Sequence, residues 1–484
     1  MLFVSVLVPL IGAAGLFLWR PKNRRLCHLW TMIFTLITSA CVASALVNPS
    51  VQKITILHVT PLLTVSFKLD GLGRIFSGMV ALLWPLSTLY AFEYMEHEGG
   101  DNHFFGFYML SYGTTLGIAF AEDMMTMYIF YEFLTLATMF LVMHGMKAQA
   151  VHAGRKYVYY MLGGAAMGFL ALVTVIHFSG TGNFMLGGIP AMRLAPVFMV
   201  QLMFVMGFLG FGVKAAVFPF HAWLPTAGVA PTPVTALLHA VAVVKAGVFA
   251  VIRMSHYAFG AELMRGTWAQ AFCMVLALLS ILWGSSMAVR ETHMKRRLAY
   301  STMSNLSYVL LGVMLLTPAG LKGGLLHMVF HALMKITLFS CVGAVMVKTG
   351  RSYVQELRGM GKRMPFIMGV FLFAGVALCG IPPFIGFQSK WALAAAAVAD
   401  GTWLGVAGIA VLLISAVLTA VYMLVPAFSA FFMPLDENGL EDRSYDPGWQ
   451  MKLPLLILCV LMLVLAVASA PLAGFIGRVA QGLV

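Results

Sequence analysis

The sequence has little charge for its length, and it lacks the polar stretches that cover a soluble domain. Only 10% of its 484 residues are charged, whereas 61% are hydrophobic. Apolar runs of about twenty residues recur from end to end, which is the length that crosses a bilayer as a helix. The period-two alternation of membrane β-barrels is missing from these runs. The sequence therefore predicts an all-α polytopic membrane protein.

Cysteine pairs and nucleotide-binding motifs are also missing. The six cysteines, Cys27, Cys41, Cys273, Cys341, Cys379 and Cys459, form no CxxC pair and lie mostly in apolar runs. There is no Walker A motif and no dinucleotide fingerprint. His327 and His331 have the spacing of zinc ligands, but no third ligand is evident. We therefore predict no metal, no cofactor and no redox centre in this chain.

The formal net charge of +13 would suit nucleic acid, but the positions of the basic residues argue against that partner. Lys and Arg cluster in short loops between apolar runs, where they set membrane topology and contact lipid headgroups. Most of the loop Lys and Arg fall on one side of the bilayer if the chain has fourteen spans. This asymmetry predicts that both termini lie outside.

The predicted spans follow the apolar runs of the sequence. They are 2–19, 28–47, 72–93, 104–121, 123–143, 157–178, 195–217, 234–256, 268–290, 298–316, 321–347, 366–390, 401–431 and 452–476. We expect the chain to be a single transmembrane domain, residues 1–484, with no separate soluble part.

Several ionisable residues lie inside these apolar spans. In the segment HMVFHALMK, His327, His331 and Lys335 follow one another at intervals of four. At about 100° per residue, they share one face of a helix. Ionisable groups at membrane depth are costly, and they mark functional sites by default.

Three other charged residues lie in apolar spans, and one of them, in the first half of the chain, lies near a predicted break in a helix. Glu132 and Lys245 lie within apolar spans, with His239 six residues before Lys245, and we assign His239 a supporting role. Lys214 precedes a segment that contains Pro219 and Pro225. Proline interrupts helical hydrogen bonding, and broken helices line wet cavities in transporters.

A second broken helix is predicted in the other half of the chain. Lys390 follows Pro382 and Pro383, which interrupt that span. Two broken helices that each carry a lysine suggest internal repetition. A chain of such groups can move protons if water links them. In this hypothesis, a Glu132 carboxylate paired with Lys214 holds the proton there, and separation of the pair releases it toward Lys245.

The sequence resembles a known family at these residues. The segments KAAVFPFHAWLPTAGVAPTPVTALLHAVAVVKAGVF, HALMKITLF, ELRGMG and GIPPFIGFQSK resemble the antiporter-like subunits of respiratory complex I, Mrp-type antiporters and membrane-bound hydrogenases. The resemblance implies about fourteen helices, with the seventh and twelfth discontinuous. It also implies two inverted five-helix repeats, at about 103–256 and 268–431, preceded by three helices at 1–95 and followed by one at 452–476.

The resemblance also implies the roles of single residues. The matched positions of the family form a proton relay: Glu132, Lys214, Lys245, His327, His331, Lys335 and Lys390. The family usually has Asp after the sequence WLP, where this chain has Thr226.

The resemblance implies a proton-translocating subunit of a redox-driven complex in a prokaryotic inner (cytoplasmic) membrane. Its expected partners are lipid, other antiporter-like subunits and a redox module, with no nucleic acid. Two alternatives remain open at this point. In the first alternative, the chain is a component of a sodium/proton antiporter of the Mrp type. In the second, it is a structural scaffold that does not pump.

Overall fold

The computed structural model describes residues 1–48, 53–58, 60, 64–435 and 443–483, and these residues are mainly helical. The helices are α1 Leu2–Trp19, α2 Arg24–Val47, α3 Gly71–Tyr94, α4 Asp101–Phe120, α5 Met124–Val142, α6 Ala148–Ser179, α7 Val197–Lys214, α8 Trp223–Thr226, α9 Thr232–Ala240, α10 Val243–Ile252, α11 Ala261–Met264, α12 Trp268–Arg290, α13 Met294–Met314, α14 Pro318–Thr349, α15 Pro365–Cys379, α16 Ile385–Asp400, α17 Trp403–Phe432, α18 Trp449–Val467 and α19 Ala470–Gln481. Two short strands, β1 Ile54–His58 and β2 Thr64–Phe67, pair antiparallel between α2 and α3.

The length and composition of the helices make this an integral, multi-pass membrane protein. In the described part of the chain, eleven helical segments are long and apolar enough to cross a bilayer. They are α1, α2, α3, α5, α6, α7, the segment Thr232–Phe259, α12, α14, α17 and α18. Helices α4 and α13 form as predicted but are more polar, and α15 is shorter than a full span.

Three predicted spans are interrupted in the structure. The span predicted at 234–256 is not one continuous helix, because Val241 and Ala242 separate α9 from α10. The span predicted at 366–390 is divided between α15 and α16, and α16 continues to Asp400. The last span, predicted at 452–476, breaks after α18 and resumes as α19.

The helix that contains Lys214 ends earlier than predicted. Helix α7 stops at Lys214 rather than at 217, and an irregular segment leads to the short helix α8. Pro219 lies in that segment and Pro225 in α8. A proline has no amide hydrogen for the helical ladder, which accounts for the failure of α7 to continue through this region.

The centre of the bundle is formed by α14 and by the segment Thr232–Phe259. The most apolar part of Thr232–Phe259 is completely buried. In the most apolar part of α14, 94% of the residues are buried. Helix α14 packs against α3, α9, α13, α15 and α16, so each of its faces meets protein. A helix that is apolar all round is expected at such a position. Ionisable residues on these helices are therefore shielded from lipid.

Candidate functional site

The ionisable residues predicted from the sequence lie in the interior of the bundle. We call Glu132, Lys214, Lys245, His331, His327, Lys335 and Lys390 the central row. Lys245, His327, His331 and Lys335 have no exposed surface, and Lys214 is 1% exposed. Glu132 and Lys390 are half-buried. Lys214 therefore does not extend its ammonium group to the membrane surface.

Glu132 and Lys214 form a loose pair at one end of the central row. Nζ of Lys214 lies 3.9 Å from Oε1 of Glu132, and that oxygen accepts no hydrogen bond from the described residues. The Lys214 ammonium instead donates to the backbone carbonyl of Tyr131 and lies 3.1 Å from the centroid of the Tyr131 ring. The Glu132 carboxylate therefore attracts the Lys214 ammonium group electrostatically but forms no direct hydrogen bond with it.

Lys245 joins the two halves of the chain. Its Nζ lies 2.8 Å from Nδ1 of His331, on the opposite side of the bundle centre. It also donates to the carbonyl oxygen of His239 at 3.1 Å, next to the interruption between α9 and α10. A hydrogen bond requires one donor and one acceptor, so an ammonium on Lys245 faces a neutral Nδ1 on His331.

The imidazole of His239 does not take part in this contact, although its carbonyl oxygen does. The ring is buried beside Phe339, with 4.7 Å between the ring centroids. Neither ring nitrogen has a hydrogen-bond partner among the described residues. The sequence pattern places His239 and Lys245 on different faces, and only the interruption of the helix brings the His239 carbonyl to Lys245.

His327 links the stripe on α14 to two other helices. Its Nδ1 lies 2.9 Å from Oγ of Ser389 on α16, and its Nε2 lies 3.2 Å from Oδ1 of Asn305 on α13. Oδ1 of an amide only accepts, so Nε2 of His327 donates to it. The centroids of the His327 and His331 rings are 5.9 Å apart.

Lys335 turns away from the two histidines toward α13. Its Nζ donates to Oγ of Ser301 at 2.7 Å and to the carbonyl oxygen of Leu298 at 3.2 Å. The three ionisable residues of the HMVFHALMK segment, His327, His331 and Lys335, thus share a helix face, as predicted, but each contacts a different neighbour. Lys335 has no direct bond to His331 among the contacts that the described residues make.

Lys390 binds the end of the helix that precedes it. Its Nζ donates to the carbonyl oxygens of Leu378 at 2.8 Å and Cys379 at 3.0 Å. These carbonyls are left without amide partners where α15 ends, and the negative end of the helix dipole favours a cation there. Pro382 and Pro383, which lie between α15 and α16, have the positions that the sequence predicts for a break.

Lys214 has a related environment in the first half of the chain. It is the last residue of α7, at the negative end of that helix dipole. A Cβ atom on Gly247 would lie 2.9 Å from Cβ of Lys214, so α10 approaches this helix end closely. Lys214 is thus the last residue of α7, whereas Lys390 lies on α16 and places its ammonium group at the C-terminus of α15.

Several polar partners could not be found from the sequence. Asn305, Ser389 and Ser301 lie in apolar runs, and serine is a common packing residue in membrane helices. Arg253, which lies in the span predicted at 234–256, is buried and bonded to both carboxylate oxygens of Asp70. Thr226, which follows the sequence WLP, accepts a hydrogen bond from Lys156 at 3.1 Å.

The described side chains form no group of three or more His, Cys, Asp or Glu residues suited to a metal ion. The six cysteines are free. The ammonium, imidazole and carboxylate groups of the central row are each able to bind and release protons.

Comparison with known proteins places the chain in a family of transmembrane subunits. Residues 121–419 match the family described as NADH:quinone oxidoreductase/Mrp antiporter, TM. NADH-quinone oxidoreductase subunit N of Desulforudis audaxviator is 32% identical over 410 residues, which cover 82% of this chain and 79% of that protein. The chloroplastic NAD(P)H-quinone oxidoreductase subunit 5 of Ipomoea purpurea is 29% identical, over 80% of this chain but 57% of that longer protein.

Solved structures share the fold over almost the whole chain. A chain of the membrane-bound sulfane sulfur reductase, an archaeal respiratory membrane complex, superposes with a TM-score of 0.87 at 23% identity. That match covers 100% of this chain and 97% of the other. A chain of the Mrp complex from Dietzia sp. gives 0.87 at 25% identity, over 99% of this chain and 52% of its own length. Both neighbours are parts of multi-subunit membrane complexes.

Proposed function

The chain belongs to the NADH:quinone oxidoreductase/Mrp antiporter family as an antiporter-like membrane subunit, and from this premise we propose that it translocates protons within a redox-driven membrane complex. The 2.8 Å contact between Lys245 and His331 carries the proposal. It connects ionisable groups from the two halves of the chain where both are fully buried. Structural packing alone gives no reason for an ammonium–imidazole contact at that depth.

The contacts suggest an order for the groups along the path. Glu132 and Lys214 form the first station, Lys245 and His331 the middle, and His327 with Ser389 leads toward Lys390. Lys335 lies beside the middle station and exchanges protons with it. This order follows the hydrogen-bond partners of each group rather than its position in the sequence.

Glu132 acts as the switch in this proposal. A carboxylate close to an ammonium group favours the charged form, and its withdrawal in a buried site disfavours it. At 3.9 Å, the pair can close to a direct bond or separate further by small side-chain rotations. Closure keeps a proton on Lys214, and separation lets it move toward Lys245.

Water completes the path between stations that do not touch. Lys214 and Lys245 share no direct hydrogen bond among those of the described residues, so a proton crosses between them through bridging water. Irregular backbone at membrane depth is tolerated where it lines a wet cavity. The segment after Lys214 and the interruption at Val241 and Ala242 are suitable places for such water.

The chemistry of the central row favours H⁺ over Na⁺ as the transported ion. Beyond Glu132, the row consists of lysines and histidines, which are nitrogen bases. Alkali and other hard cations prefer oxygen ligands, whereas an ammonium group repels a cation and a neutral amine or imidazole accepts a proton. We therefore place a sodium/proton antiporter of the Mrp type second, although the Dietzia structure shows that the fold also occurs in an Mrp complex.

The two halves of the chain support a repeated architecture. We propose fourteen spans, which add α4, α13 and the broken pair α15–α16 to the eleven apolar ones. Two inverted repeats at about 103–256 and 268–431 then each contain a broken helix next to a lysine, with Lys214 at the end of α7 and the Lys390 ammonium at the end of α15. In the membrane of a prokaryote, the basic loops lie in the cytoplasm and both termini outside.

Partner subunits supply the driving force in this proposal. The central row carries protons and not electrons, so oxidation and reduction take place in a redox module elsewhere in the complex. Other antiporter-like subunits pack beside this one in the membrane, with lipid on the remaining faces.

Replacement of Lys214 by Ala in the intact complex tests the proposal. We expect assembly and electron transfer to remain while proton translocation into vesicles, followed by a pH-sensitive dye, is largely lost. Unchanged translocation would instead support a scaffold that does not pump. Sodium transport in everted vesicles without any electron donor would support the antiporter alternative.

A further inference from the structure

A chain of hydroxyl groups runs beside the histidines in the second half of the bundle. Lys335 donates to Oγ of Ser301 at 2.7 Å, and that oxygen lies 2.8 Å from the phenol oxygen of Tyr422. The Tyr422 phenol lies 3.1 Å from Oγ1 of Thr419, one turn further along α17. All four side chains are buried.

The hydroxyl chain continues to the neighbourhood of Lys390. The Tyr308 phenol donates to Oγ of Ser415 at 2.6 Å, one turn before Thr419 on α17. Nζ of Lys390 lies 5.5 Å from the centroid of the Tyr308 ring. The hydroxyl chain therefore begins at one lysine of the central row and ends beside another.

This arrangement differs from the usual bonding of hydroxyls in membrane helices. Buried Ser and Thr side chains commonly donate to the carbonyl of the preceding turn, as Ser307 and Thr337 do here. Thr419 also donates to the carbonyl oxygen of Ser415 at 2.7 Å, whereas the Ser301 and Tyr422 hydroxyls bond to each other across α13 and α17. A hydroxyl can accept and donate at the same time, which a proton path requires and simple packing does not.

We propose that the hydroxyl chain Ser301–Tyr422–Thr419–Tyr308 is a second proton path from Lys335 to Lys390. It runs parallel to the imidazole path through His331, His327 and Ser389. The inference rests on the proposed function, because it assigns this chain of hydroxyls to the same transport.

One proton crosses the hydroxyl chain without any net change in its members. The Lys335 ammonium gives a proton to the Ser301 oxygen as that oxygen passes its own proton to Tyr422. The Thr419 hydroxyl then turns from the carbonyl oxygen of Ser415 toward Tyr308 and passes a proton to that phenol, and Lys390 as a free amine takes the last proton. Lys390 must first turn from the Leu378 and Cys379 carbonyls toward the phenol, and rotation of the hydroxyls then restores their starting orientation.

Two routes in parallel predict a specific pattern of loss in the intact complex. We compare Tyr422→Phe, His327→Leu and the double variant, with proton translocation in vesicles measured per electron transferred. Each single variant is expected to reduce translocation about two- to fivefold, and the double variant more than about tenfold, since the remaining route no longer compensates. Thr419→Val, which removes only a hydroxyl, should reproduce the effect of Tyr422→Phe.

A matched control comes from the first half of the chain. Tyr112 is also buried and bonded to a hydroxyl, that of Ser39 at 2.8 Å, but lies outside both routes. Tyr112→Phe should leave translocation unchanged alone and in the His327→Leu background. The amount of this chain that copurifies with the complex reports assembly for every variant.

Three results overturn the inference. If Tyr422→Phe and Thr419→Val behave like Tyr112→Phe, both alone and together with His327→Leu, then the hydroxyls serve only in packing. Complete loss in either His327→Leu or Tyr422→Phe alone excludes two parallel routes. Failure of the proposed function itself is recognised separately, because Lys245→Met would then leave translocation intact.

Discussion

The Glu132 carboxylate lies 3.9 Å from the Lys214 ammonium, within attraction but beyond a hydrogen bond. Both groups have alternatives at this distance: Lys214 donates to the Tyr131 carbonyl, and Glu132 is 25% exposed. A pair poised in this way can change its separation at little cost. The proposed switch depends on that freedom.

Removal of the charge on Glu132 should disable the switch. With Glu132→Gln, we expect proton translocation by the complex to fall at least about tenfold, because a positioned proton-transfer group typically contributes a hundredfold or more. Electron transfer and vesicle acidification are measured together. Glu262→Gln is the control, since Glu262 is exposed and pairs with the exposed Arg193. Equal behaviour of the two variants would contradict the switch.

Lys245 should be essential for passage between the halves of the chain. Lys245→Met keeps the length of the side chain but removes its bonds to His331 and to the His239 carbonyl. We expect at least about a tenfold loss of translocation with the complex assembled. Lys295→Met is the matched control, because Lys295 is also buried, at 4% exposed, and donates to the Ala230 carbonyl outside the central row. Retention of full translocation by Lys245→Met would exclude a path through the middle station.

The close approach of α16 to the end of α15 should be intolerant of any side chain at Gly386. A Cβ atom there would lie 1.9 Å from the carbonyl oxygen of Ala377. We expect Gly386→Ala to destabilise the protein by about 3 kcal/mol, the upper range for overpacking, and to displace Lys390.

A glycine on α15 provides the control for this substitution. A Cβ atom on Gly369 meets nothing within 4 Å, so Gly369→Ala should be neutral or stabilise by up to about 1 kcal/mol through helix propensity. Thermal unfolding in detergent measures both variants. Similar melting temperatures for the two would show that α16 can move away from α15 without cost.

The ion pair between Arg253 and Asp70 should stabilise the start of α3. Arg253 binds both oxygens of Asp70, which also accepts from the Gly73 amide as the N-cap of α3. Asp70→Asn leaves a buried guanidinium without its carboxylate, and we expect a loss of about 3–5 kcal/mol. Glu262→Gln, in an exposed pair, should cost about 0–1 kcal/mol in the same unfolding measurement.

This ion pair should also give a pH dependence of stability. Burial raises the pKa of the Asp70 carboxyl, but Arg253 and the Gly73 amide outweigh it and hold the pKa below its usual value. The stabilisation is then complete above the ordinary aspartate pKa of about 3.9 and is lost as the pH falls through the lower pKa of the folded state. Asp70→Asn should lack this loss between about pH 5 and pH 2. An identical acid profile for both proteins would contradict the assignment.

The sequence determined the class of protein and most members of the site. Long apolar runs exclude a soluble fold, because their side chains can be buried only by lipid or by other helices. Charges within those runs make Glu132, Lys214 and Lys245 candidates for a functional role, since an ionisable group at membrane depth is costly. These conclusions depend on composition and local spacing, which a single sequence contains.

Helix boundaries at the site were predicted less well. The interruption between α9 and α10 has no proline or glycine at Val241 or Ala242, so no local signal marks it. Arg253 lies within a predicted span, but its carboxylate partner Asp70 is 183 residues away in the sequence. Such pairings cannot be deduced from local pattern.

By itself, the sequence indicated that Lys214, Lys245, His327, His331 and Lys335 are buried, because their burial follows from the apolar runs around them. Only the tertiary structure decided which of them meet. Lys245 reaches His331 across 86 residues of chain, and Tyr422 reaches Ser301 across 121. Hydrogen bonds depend on distances of about 3 Å between atoms, and only the packing of distant helices sets those distances.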